Sequence, residues 1–134
     1  MAKIAMFMLC DAISPEDSQM KLISPQFVLR PDFIPGNFSF GICAGISNIR
    51  PTTDTKMGFS IISPDDEIIY RLPDSNFERD AKEEDIPREA QGFMIAMEVR
   101  NIPVKLEGEY KFVLYINGEE EDRHGFYICK RSNQ

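Results

Sequence analysis

The chain has 134 residues, of which 43% are hydrophobic and 28% charged, a length and balance that suit one folded domain over 1–134 and argue against intrinsic disorder. Its 22 acidic and 15 basic residues leave a formal charge of -7, which argues against binding a nucleic-acid backbone or an anionic membrane surface. Cys10, Cys43 and Cys129 are odd in number and each sits in an apolar run, which fits reduced thiols and a cytoplasmic location better than a disulfide scaffold.

Ile4 to Cys10 is a continuous apolar run of strand length. A lysine before it hints at a signal peptide, but the run stops at Asp11 with no small-residue cleavage site, so a buried strand is the better reading. Ser14-Pro15-Glu16-Asp17-Ser18 reads as a turn within 11–21. Leu22 to Leu29 is a second apolar stretch; Pro25 cannot donate to a ladder, so this segment belongs at a sheet edge or starts at Gln26. Pro31, Pro35 and Gly36 then break the chain. From 38 to 49, Phe38, Phe40, Ile42, Ala44 and Ile46 alternate with Ser39, Gly41, Cys43, Gly45 and Ser47. Large against small at period two predicts a strand with one packed face, and a small face closely approached by something else; Gly41 and Gly45 are also possible bulge positions. Met57, Phe59 and Ile61 alternate, Ser63-Pro64-Asp65-Asp66 is a turn, and Glu67 to Leu72 returns, predicting a hairpin over 56–72. Residues 73–91 are polar and charged and predict a long loop with one helical turn near Arg79 to Glu84. Gly92 to Arg100 and Tyr110 to Ile116 read as strands. Asn117-Gly118 is a strong type I′ hairpin signal, Glu119 to Asp122 predicts a wide or frayed tip, and Phe126 to Cys129 closes the domain.

About eight short strands without alternating helices predict an all-β fold, a two-sheet antiparallel β-sandwich with one long charged loop. Leu106-Glu107-Gly108-Glu109-Tyr110 has the spacing of a tyrosine corner, which favours an immunoglobulin-like sandwich with Phe112 in the core. Met8-Leu9-Cys10-Asp11, Lys21-Leu22-Ile23 and Gly108-Glu109-Tyr110-Lys111-Phe112 with Asn117-Gly118 together resemble a family of small uncharacterised bacterial and phage-encoded domains. Its members open with an apolar strand ending in Cys-Asp and close with a Gly-x-Tyr-x-Phe hairpin. The resemblance implies the sandwich and a prokaryotic or phage source; it spans most of the chain except 73–91 and carries over no catalytic residue.

Chemistry-bearing patterns are sparse. His124 is the one histidine, so any triad, Cys-His pair or His-rich metal site would depend on it, and no cysteine has an activating local sequence. Asp65 to Glu67, Glu83 to Asp85 and Glu119 to Asp122 supply carboxylates without EF-hand spacing. No catalytic residue, metal or cofactor is therefore assigned.

Two features read as interface. Phe27, Pro31, Phe33, Ile34, Pro35 and Phe38 either plug one end of the sandwich or form an exposed anchor patch. The loop 73–91 carries Phe77 and Ile86 among charges. The expected function is a non-catalytic module binding a protein partner or itself, with Phe33, Ile34, Phe77, Arg79, Glu83, Glu84 and Ile86 as partner-binding residues. A phage or bacterial protein modulating a host factor is one form of it. The alternatives are a structural component of a larger assembly and, more weakly, a hydrolase using dispersed carboxylates. Because 38 to 49 has no charge, a homodimer through that strand as a sheet edge is also expected.

Overall fold

The computed structural model describes residues 2–16, 19–49, 55–76 and 87–131. Eight strands are present among the described residues: β1 (Lys3–Glu16), β2 (Gln19–Gln26), β3 (Gly36–Ser47), β4 (Lys56–Ile62), β5 (Ile68–Asn76), β6 (Gly92–Val104), β7 (Gly108–Ile116) and β8 (Glu119–Ile128). They form two antiparallel four-stranded sheets, ordered β2-β1-β3-β6 and β5-β4-β7-β8. The strand order is immunoglobulin-like for β1, β3 and β6, which lie as strands A, B and E, for β4, β7 and β8, which lie as C, F and G, and for β5, which flanks β4 as C′ does, whereas β2 is an added strand outside β1. No helix among the described residues is long and apolar enough to cross a membrane.

The core follows from the period-two pattern. Phe40, Ile42, Ala44 and Ile46 of β3 and Val99, Ile102 and Val104 of β6 meet Met57, Phe59 and Ile61 of β4 and Tyr110, Phe112 and Leu114 of β7. The alternation in β6 slips between Val99 and Ile102, where a bulge opposite Phe38 and Phe40 carries Asn101 at φ 54°. The slip returns Ile102 and Val104 to the inner face. The tyrosine corner is formed: the buried Tyr110 hydroxyl donates to the Leu106 carbonyl at 2.6 Å. Asn117 and Gly118 both have positive φ, 51° and 86°, as the predicted type I′ turn requires.

Several expectations are corrected. The turn cluster expected at Ser14 to Ser18 begins too early: β1 runs on to Glu16 and pairs with β2, because Ile13 has an apolar seat over Gly41 and its N–H donates to Glu98 Oε1 at 3.2 Å. Gly41 and Gly45 are not bulges. A Cβ at Gly41 would stand 2.6 Å from the Cys10 Sγ, and one at Gly45 would stand 3.0 Å from the Met94 Sδ, so both glycines admit neighbours onto the outer face of the sheet. Strand β3 is central, paired with β1 and β6 on its two sides, so it offers no edge for a copy of itself. Its lack of charge reflects burial. Glu119 to Asp122 is not a frayed tip but the start of β8, held by the β7 ladder and by the Arg123–Glu120 ion pair at 2.7 Å. Residues 73–76 belong to β5, and 88–90 form a 3₁₀ turn; the helical turn expected near Arg79 to Glu84 lies outside the described residues.

A candidate partner-binding groove

Among the described residues, strand β1 is paired on only one side along its first half. Lys3 to Met8 face β3, whereas pairing with β2 begins at Leu9 opposite Gln26. On the other sheet, β8 pairs with β7 along its length, and among the described residues the one backbone bridge on its outer edge is the parallel one from Leu29 to Ile128. These two edges face each other where the sheets diverge, and a groove of about 550 Å³ lies between them. Its lining is Phe7, Met8 and Leu9 from β1, Pro25, Gln26 and Phe27 at the end of β2, and His124 to Tyr127 from β8.

Both ends of the groove are closed by hydrogen bonds. At one end the Ile4 N–H donates to Asp122 Oδ2 at 2.8 Å. Asp122 lies opposite the core residue Leu114, so its carboxylate points inward from an edge strand and meets the amide there. At the other end the chain leaves β2 and crosses to the second sheet. There the Leu29 N–H donates to the Tyr127 carbonyl at 3.1 Å, and the Cys129 N–H donates to the Leu29 carbonyl at 3.0 Å. The crossing holds Leu29 fully buried and leaves Phe27, two residues earlier, 95% exposed at the groove's rim.

The floor is aromatic. Phe7 stacks on His124 with ring centroids 4.5 Å apart, and it also packs against Phe126 at 5.7 Å and Phe112 at 5.4 Å. A bulge between Ile4 and Met6 lets Ile4 and Phe7 both pack against the core although they are three residues apart. Along β8 the inward positions run Asp122, His124, Phe126 and Ile128, so the groove grades from charged to apolar toward Phe27. Tyr127, 49% exposed, borders the apolar end. Glu120 is held below the usual carboxylate range by its hydrogen bonds from Arg123.

The expected interface residues separate. Phe33 is 76% exposed on the turn before β3, whereas Ile34 and Phe38 are half-buried against the core and Pro31 is buried. The 27–38 cluster is thus part plug and part exposed surface, and Ile34 belongs to the plug. Phe77, Arg79, Glu83, Glu84 and Ile86 lie outside the described residues. In the sequence, the groove residues Phe7, Phe126 and Tyr127 are ordinary strand positions. The signal that marks them is not local: it is that β1 and β8 are both edges on the same side of the sandwich.

The thiols do not approach His124 in any contact within the described residues. Burial pushes Cys10 and Cys43 upward, which disfavours the thiolate.

A family model described as a family of unknown function (DUF6941) matches residues 5–129. The chain belongs to that family. The match opens inside β1 and ends just past β8, so the family's common region holds every groove residue. It agrees with the resemblance read from the opening strand and closing hairpin, and it brings no assigned activity. No curated protein matches the chain.

Proposed function

We propose that this member of the family is a non-catalytic interaction module that captures a protein partner in the groove between β1 and β8. One observation carries the reading: Phe27 stands 95% exposed over an apolar groove of about 550 Å³. A large aromatic fully open to water, beside a concave apolar floor, is the arrangement of an interface anchor. It contributes nothing to the core, so its exposure is a standing cost that a bound partner would relieve.

The test is selection from a displayed peptide library with the wild-type chain, a Phe27→Ser variant and a variant lacking 77–86. Enrichment with the wild type that is lost in Phe27→Ser supports the groove. Enrichment lost only in the deletion moves the site to 77–86, and no enrichment with any chain overturns the reading.

A second reading, a structural component that assembles with copies of itself, draws on the outer face of the first sheet. Neighbouring positions there are Met6–Gly45–Met94 and Met8–Cys43–Ala96, two uncharged rows with exposed methionines. Light scattering across a concentration series would show a defined oligomer under this reading and a monomer under the first.

A further inference from the structure

Resting on the groove reading, we propose that the partner binds as an added β-strand on the free edge of β1, and that the bound segment is extended, with apolar residues alternating with lysine or arginine. The free edge is the first ground. Met6 to Met8 have a strand on one side only among the described residues, and Ala5 is the extra residue of the bulge just before them. Backbone N–H and C=O groups on such an edge are a template for another strand. Ile4, next in line, shows how strongly that edge seeks a partner, since its N–H has recruited the Asp122 carboxylate across the groove. At ~3.3 Å per residue the open stretch takes about four residues of ligand backbone.

Side-chain chemistry is the second ground. A strand laid along this edge turns alternate side chains toward Phe7 and Phe126, with Phe27 and Tyr127 at the rim. The intervening side chains turn to the outer face of the first sheet and stay in water, where they feel the field of the acidic start of the β8 edge, Glu119, Glu120, Glu121 and Asp122, just past the Ile4–Asp122 contact. That edge belongs to a chain of formal charge -7. Basic residues at alternate positions complement it. The same charge disfavours a second copy as the occupant, because pairing two β1 edges brings two acidic β8 edges together.

The probes are three synthetic octapeptides: alternating Lys-Val, alternating Glu-Val, and Lys-Val with alternate backbone amides N-methylated on the edge-facing side. Hydrogen exchange and backbone NMR on the full chain report binding. The expected result is slowed exchange at Ala5 to Met8 with the Lys-Val peptide, at least tenfold weaker binding of Glu-Val at low salt, and at least tenfold loss on N-methylation. Equal binding of the two charge types, undiminished binding of the N-methylated peptide, or no protection of Ala5 to Met8 overturns the proposal. So does protection of those amides that rises with protein concentration alone, which would make a second copy the occupant. The two readings fail separately. If Phe27→Ser abolishes library enrichment while N-methylation is harmless, strand addition is wrong and the interaction module stands. If the library yields nothing, both fall.

Discussion

Tyr110 shows how one residue secures a corner of the sandwich. Its ring is buried against Phe126 at 6.0 Å, and its hydroxyl reaches back four residues to Leu106. The ring supplies apolar burial and the hydroxyl closes the loop that leads into β7. Tyr110→Phe keeps the first and removes the second. It is expected to cost about 1 kcal/mol, the usual net worth of a neutral hydrogen bond, seen as a lower urea midpoint with an unchanged slope. A change in slope, or no change in midpoint, would mean that the corner is held by packing alone. Leu-x-Gly-x-Tyr made this legible in the sequence because the corner is local, its donor and acceptor four residues apart. The seat of Ile13 over Gly41 was not legible. Gly41 is 28 residues further along, and nothing near either residue reports the other.

At the scale of the element, the two edge strands matter most. An exposed edge must be blunted or used, and this molecule blunts one end of the β1–β8 opening with the inward Asp122 carboxylate. Asp122→Ala leaves the Ile4 N–H without that acceptor. Fraying is then expected to be local: exchange at Ile4 rises at least tenfold while the amides of Phe112 to Leu114 stay protected. A uniform rise across β7 would show instead that Asp122 supports the whole fold. Period-two alternation located the strands but not their neighbours. Phe38 to Ile49 reads as an edge because it is uncharged, whereas β3 within it is uncharged because it is central. Glu119 to Asp122 looked frayed because four acids run together; the β7 ladder and Arg123 hold them extended.

For the whole molecule, acid is the informative perturbation. The Arg100 guanidinium and the Ile13 N–H hold Glu98 below its ordinary value of 4.5, the Arg123 guanidinium does the same for Glu120, and the Ser63 hydroxyl holds Asp65 below 3.8. A carboxylate depressed in the folded state adds stability that is present above its unfolded value and lost as pH falls through its folded one. Stability from these groups should therefore hold from neutral pH to about 4.5 and decline below it. Urea unfolding between pH 7 and pH 3 checks this, and a midpoint flat to pH 3 would remove these groups from the account. These contacts are solvent-screened, so the decline is gradual.

Composition and local pattern were enough for the all-β class, the hairpin at Asn117-Gly118, the tyrosine corner and most of the core. Each rests on interactions between residues close in the chain, or on alternation that any half-buried strand must show. Tertiary structure alone decided which strands became edges, which face of β1 received Ile13, and where Phe27 was left. Those outcomes depend on how β1 and β8, at opposite ends of the chain, come to lie across one opening. The candidate groove is made of that meeting, from residues more than a hundred positions apart such as Phe7 and His124. No local window of the sequence contains it.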